Sequence, residues 1–153
     1  MSARDFYLNY WAAFSHQGGF PNLNTPDIPT KKNANEGYRR FQKRWPLGFM
    51  LVARASIRDD EISAQFFTGS AGRGHEFLDW LSPSSLGLIQ LRSGACATVH
   101  KGETDGKVEL FWHHANLADE AFWPSHFHWL RIALHELAES LGPKLDTFCE
   151  AHA

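Results

Sequence analysis

The sequence predicts an α+β domain: an antiparallel sheet of two hairpins packed against an N-terminal helix and a long C-terminal helix. Three observations carry the prediction. Aromatic residues recur at helical spacing near the N-terminus, apolar and polar residues alternate in two pairs of central segments, and a leucine-rich helical stripe fills the C-terminal end. The 153 residues suit one domain spanning 1–153. With 43% hydrophobic and 21% charged residues, the composition is that of a globular chain and not a disordered one. The 6 Trp and 12 Phe supply large rings for a sizeable core.

Residues 3–15 are expected to form the first helix. Ser2 suits the N-cap, and Asp5 lies near the positive end of the helix dipole. At 100° per residue, Phe6, Tyr7, Tyr10, Trp11 and Phe14 fall within an arc of about 140°, a core-facing stripe. Gly18 and Gly19 end it, and a long loop over 17–36, with Pro21, Pro26 and Pro29, follows.

From Trp45 onward the period changes to two. Phe49, Leu51, Ala53, Ala55 and Ile57 alternate with Met50, Val52, Arg54 and Ser56, and Ile62, Ala64 and Phe66 alternate with Ser63, Gln65 and Phe67. With a turn at Arg58-Asp59-Asp60, this is a hairpin with one buried face. A short helix is expected over 73–81, with Phe77, Leu78 and Leu81 on one side. Ser82-Pro83 can cap a further helix through Leu91, or residues 86–91 can form a strand; a short apolar run fits both. A second hairpin joins 97–101 to 107–114 around Gly102-Glu103-Thr104-Asp105-Gly106.

The last segment begins with Pro124 in a first helical turn and carries Phe127, Leu130, Leu134, Leu137, Ala138 and Leu141 on one stripe. Gly142-Pro143 is expected to break or kink it, with a short second helix carrying Leu145 and Phe148 on the same face.

No apolar run approaches the ~20 residues that span a bilayer, and the start lacks the order of a secretory signal. Cys96 and Cys149 stand far apart without a metal spacing, which reads as free thiols in a cytoplasmic protein. The net charge of −2 hides a split. Residues 1–58 hold nine Lys/Arg and three Asp/Glu, whereas residues 103–153 hold three Lys/Arg and nine Asp/Glu. Such a split fits either an anionic partner at one end or two ends that pack together and neutralise each other.

Several residues carry a family resemblance that covers most of the chain. They are Tyr10-Trp11 and Phe14, then Trp45-Pro46-Leu47-Gly48 entering the first strand, then Lys107-Val108-Glu109-Leu110-Phe111. Trp123-Pro124 with His126, Trp129 and Leu130 completes the set. In this the chain resembles a bacterial and archaeal domain family of unknown function, often found C-terminal to restriction-endonuclease-like domains. The resemblance implies association with nucleic-acid processing or with defence against foreign DNA. It carries over no catalytic residue, because the matching features are packing motifs.

The chemistry-bearing motifs are incomplete. Asp105-Gly106-Lys107, with Glu103 nearby, matches the acid-x-Lys triplet of restriction-type nucleases, but Asp-Gly is also hairpin-turn chemistry. Asp59, Asp60 and Glu61 are the candidate upstream acids and themselves resemble a solvated turn. Zinc needs three or four converging ligands. His113 and His114 point to opposite faces of a strand, His126 and His128 lie roughly 160° apart around a helix, and His135-Glu136 lacks the second His of a zinc-protease helix. The Gly69-Ser70-Ala71-Gly72 stretch fits neither a nucleophile elbow nor a P-loop, and Arg73 beside it is a weak anion site at a helix start. No metal and no cofactor is expected.

The strongest functional lead is a basic and aromatic segment at 31–45. Lys31, Lys32, Arg39, Arg40, Lys43 and Arg44 are opposed only by Glu36 and interleaved with Tyr38, Phe41 and Trp45. Cations neutralise phosphates with release of counterions, and exposed rings stack on unpaired bases. The expected function is a non-enzymatic nucleic-acid-binding module that uses Lys31, Lys32, Tyr38, Arg39, Arg40, Lys43, Arg44 and Trp45. The alternative is a protein-interaction module of a defence or counter-defence system, docking through exposed aromatics such as Trp80, Phe111 or Trp129. The third is a degenerate nuclease using Asp105 and Lys107.

Overall fold

A computed structural model describes residues 2–17, 37–83 and 87–153 of the chain. Helix α1 spans Ala3–Gln17, followed by β1 (Tyr38–Arg44), β2 (Phe49–Ser56), β3 (Glu61–Thr68), α2 (Arg73–Leu81), β4 (Leu88–Gln90), β5 (Cys96–Lys101), β6 (Gly106–His113) and α3 (Trp123–Ala151). The six strands form one antiparallel sheet in the order β1-β2-β3-β6-β5-β4. The expected hairpins are β2–β3 and β5–β6. They join through β3 and β6, whose pairing runs unbroken from Glu61↔His113 to Thr68↔Gly106. The α+β class, the N-terminal helix and the long C-terminal helix are as the sequence predicts.

The helices cover one face of the sheet, and the period-two alternation says which. Phe49, Leu51, Ala53 and Ala55 of β2, with Ile62, Ala64 and Phe66 of β3, are buried on this inner face. Phe49 and Phe66 stack at 4.8 Å, and Phe77 of α2 meets Phe49 edge-on at 5.4 Å. The α1 stripe lies against the start of α3, where Tyr10 packs edge-on against Trp123 and Phe127, each at 5.0 Å. Such pairs contribute about 0.5–1.5 kcal/mol beyond the area they bury.

The structure corrects or decides four sequence expectations. First, the basic segment, given no secondary structure by the sequence, is a strand from Tyr38 on: residues 38–44 form edge strand β1, with a register shift between Arg40 and Arg44. Second, of the two alternatives left open for residues 86–91, the strand is the one found: residues 88–90 form the short strand β4, and 84–86 lie outside the described residues. Third, Gly142-Pro143 does not divide the last helix. α3 runs 29 residues with Pro143 on its exposed side, and Leu145 and Phe148 continue the buried stripe. Fourth, Gly106 is not a turn residue but the first residue of β6. Gly102 N–H bonds to Asp105 O to close the turn, and a Cβ on Gly106 would stand 2.4 Å from Leu78 Cδ1. The glycine leaves room for the buried Leu78 side chain of α2.

The expected loop over 17–36 is outside the described residues except for Gln17, which closes α1. At the far end of the sheet, Asp60 ties two connections together. Its carbonyl accepts from Ala115 N–H at 3.0 Å, and its carboxylate accepts from Leu117 N–H at 2.8 Å. Asp60, His114 and Asn116 all hold left-handed φ between 51° and 60°, which polar residues of this kind tolerate best.

Among the described residues, no helix is long and apolar enough to cross a membrane. Both cysteines are free thiols, Cys96 exposed and Cys149 half-buried.

Candidate functional site

Strand period decides which basic residues reach the surface. Tyr38 and Arg40 pair with Arg54 and Val52 and share their outer face, whereas Arg39 pairs with Ala53 and points inward with Phe41. Arg39 is fully buried, its guanidinium carbon 5.3 Å from the centre of the Trp11 ring, and Nη1 donates to Tyr38 O at 2.6 Å. Arg39 is therefore a core cation and not part of an exposed grip. Trp45 is half-buried too. It meets Phe66 edge-on at 5.3 Å and lies so close to α3 that a Cβ on Gly142 would be 2.9 Å from its Nε1. That packing takes the place of the exposed stacking ring expected from the sequence.

The remaining cations near the edge are Arg40, Lys43 and Arg44, all exposed. Arg44 donates to Phe41 O at 2.5 Å, and the Lys43 ammonium sits 4.8 Å above the Trp45 ring. Lys43 and Trp45 share a cleft of about 270 Å³ with His135, Glu139 and Asp146 of α3. The acidic end of the chain thus does face the end of β1, although Glu139 itself is ion-paired with Arg92. Lys31 and Lys32 lie outside the described residues.

On the outer face, Tyr38 and Arg40 of β1 share a cavity of about 180 Å³ with Val52, Gln65, Phe67, Asp105 and Lys107. Four strands contribute, so residues distant in sequence converge. Behind the cavity lies a buried polar network. Ser63 Oγ and Gln65 Nε2 both donate to Glu109 Oε2, at 2.5 and 2.7 Å, and Lys107 Nζ is 3.5 Å from Glu109 Oε1. Ser63, Gln65 and Glu109 are buried, which local pattern reading misses because polar residues at alternate strand positions look solvent-facing. The signal that finds them is the identity of the pairs: Gln65 stands directly across from Glu109.

The outer face ends at a second polar group. Glu61 accepts from Arg54 Nη1 and His113 Nδ1, both at 2.8 Å. Burial pushes the Glu61 carboxyl up, but the bonds from Arg54 and His113 outweigh it and hold it below its ordinary range.

The acids considered for a nuclease do not converge. Asp105 precedes Gly106, paired with Thr68, while Glu61 pairs with His113 at the opposite end of the same ladder. Seven residue steps separate them, roughly 24 Å. Asp59 accepts from Ser56 Oγ at 3.1 Å, and Asp60 is engaged with Leu117. Among the described residues, no three His, Cys, Asp or Glu side chains are placed to share a metal ion.

His126 is fully buried, donating from Nε2 to Ala115 O at 2.6 Å, and burial holds its pKa below the ordinary value. His128 is exposed and accepts from Arg131 Nη2 at 2.8 Å.

The three aromatics considered for docking separate into two places. Trp80 is 42% exposed and packs on Phe77 and Phe148. Phe111 and Trp129 instead line one groove of about 350 Å³ between β6 and α3. Comparison of the chain with models of known protein families, with curated proteins and with solved structures finds no match.

Proposed function

We propose that the chain is a binding module for single-stranded nucleic acid, gripping phosphates along β1 and taking a base against the outer face of the sheet. The observation that supports this reading is the shared cavity of Tyr38, Arg40, Phe67 and Lys107. It brings two rings and two cations together, and the exposed Lys43 and Arg44 follow on the same edge strand. Cations that track a backbone next to aromatic platforms are what sequence-tolerant single-strand binding requires. The likeness of the packing motifs to a domain family found beside restriction-endonuclease-like domains points the same way.

The burial of Arg39 and the packing of the half-buried Trp45 against Phe66 and Gly142 narrow the proposed surface to Tyr38, Arg40, Lys43, Arg44 and Lys107, with Lys31 and Lys32 as candidates from the sequence. Fluorescence anisotropy with a labelled single-stranded oligonucleotide tests it across a salt series. Replacing Arg40, Lys43 and Arg44 together by Ala is expected to weaken binding at least about tenfold and to reduce the salt slope by about 2. Tyr38→Ala should weaken binding by about 1–3 kcal/mol with the slope unchanged, because stacking releases no counterions. Equal affinity for the triple variant and the parent chain would remove this surface.

A further inference from the structure

We infer that the groove between β6 and α3 is a slot for an extended peptide of a partner protein, which adds as a strand to the open half of β6. This reading is independent of the nucleic-acid proposal, and gives the docking role of Phe111 and Trp129 a defined place.

The first observation is a ladder that stops early. β6 continues to His113 and is paired with β3 over its whole length, but its pairing with β5 ends at Thr98↔Glu109. β5 itself begins at Cys96, and its first residues pair only with β4. Beyond Glu109 the sheet therefore splits, with β6 on one side and the β4–β5 hairpin on the other.

The second observation is what holds the split open. The turn at 91–95 is fastened to α3 instead of to β6. Arg92 N–H bonds to Ser140 Oγ at 2.9 Å, Ser93 N–H bonds to Glu136 Oε1 at 2.6 Å, and Arg92 is ion-paired with Glu139. Leu91 is buried beside these anchors. Three tethers to one helix keep the hairpin tip from closing onto β6.

The third observation is the direction of the backbone. In an antiparallel ladder, successive residues turn their N–H and C=O groups to opposite neighbours. The Gly102–Asp105 bond closes the β5–β6 turn, so Lys107, Glu109, Phe111 and His113 aim theirs toward β5. Past Thr98, the groups of Phe111 and His113 thus face the split. Leu110 and Trp112 aim theirs at β3.

The walls of the split match an extended peptide with alternating side chains. Cys96, Leu110, Phe111, Trp129 and Ile132 line it, with Glu136 as its charged member. Ile132 is 55% exposed at the mouth of the groove and offers an apolar contact there. Unpaired strand groups beside apolar pockets select a strand-forming segment, in which main-chain bonds give affinity and alternate side chains give specificity. A carboxylate at the rim favours a basic residue flanking the apolar positions.

Amide hydrogen exchange read by NMR tests this on the full chain, with a soluble synthetic peptide of alternating Val and Lys as the probe. In the chain alone, Phe111 and His113 amides are expected to exchange fast, while Leu110 and Trp112 are protected. The peptide should slow exchange at Phe111 and His113. The same peptide N-methylated at every residue should not, since the methyl groups keep its carbonyls from reaching these amides along either edge. Ile132→Asp, at an exposed helix position that leaves the fold intact, should weaken the peptide at least about tenfold. Three results would overturn the inference: Phe111 and His113 already protected in dilute chain, protection that grows with protein concentration alone and so marks a second copy, or peptide-induced shifts confined to another face.

Discussion

The guanidinium of Arg39 lies under the ring of Trp11, 5.3 Å from its centre, and both residues are fully sealed from solvent. An arginine that looks like part of a surface patch therefore helps join β1 to α1. Arg39→Ala is expected to lower stability by about 2–3 kcal/mol through lost packing and a lost cation–π contact. Urea denaturation measures this. Oligonucleotide affinity of the folded fraction should stay at the parent value, whereas the Arg40, Lys43 and Arg44 changes should leave stability nearly untouched.

Gly142 allows Trp45 to lie against the backbone of α3. In an exposed helix, Gly→Ala stabilises by up to about 1 kcal/mol. Here the added Cβ would sit 2.9 Å from a ring atom. Overpacking of this kind costs about 1–3 kcal/mol, so Gly142→Ala should be net destabilising by about 1 kcal/mol. A drop in Tm together with a red shift in tryptophan emission would confirm it, and a rise in Tm would refute it.

Glu109 receives two hydrogen bonds from buried donors, with Lys107 as its neighbouring cation. Glu109→Ala leaves Ser63 and Gln65 without their acceptor and should cost about 2–4 kcal/mol in urea denaturation. Ser63→Ala alone should cost about 1 kcal/mol, since Gln65 and Lys107 still serve the carboxylate. In the Glu109→Ala background the Ser63 change should cost almost nothing, a coupling that a double-mutant cycle resolves.

His126 makes stability depend on pH. Its pKa is lowered in the folded chain by burial, so the unfolded chain takes up the proton first. The contribution is fully present above the unfolded value of about 6.5 and is lost as pH falls through the folded value. Tm should therefore fall as pH is lowered from neutrality. His126→Asn, which keeps a side-chain donor but does not titrate, should flatten that part of the profile. An unchanged slope in the variant would assign it to other groups.

How much of this was legible in the sequence depends on where the information sits. α1 was readable because Phe6, Tyr10 and Phe14 repeat at helical spacing behind a capping Ser2, whose Oγ accepts from Asp5 N–H at 3.2 Å. β2 was readable because Phe49, Leu51, Ala53 and Ala55 take alternate positions before the turn at Arg58-Asp59-Asp60, although Val52 between them is buried too. β1 was hidden because one of its inward positions carries Arg39, so the alternation that marks a strand reads as a run of charge. The outer cavity and the groove were hidden for a different reason. Both depend on β6 lying next to β3, a pairing of residues 38 to 52 apart in the chain that no local pattern encodes. Gln65 and Glu109 become neighbours only through that pairing.

The bonds from Asp60 to Ala115 and Leu117 have a kinetic consequence. Those two amides belong to the approach to α3, yet their acceptors sit on the turn between β2 and β3. Neither connection can fray alone. Any fluctuation that releases the turn must also loosen the first approach to the last helix, so the two loops should behave as one unit of local unfolding.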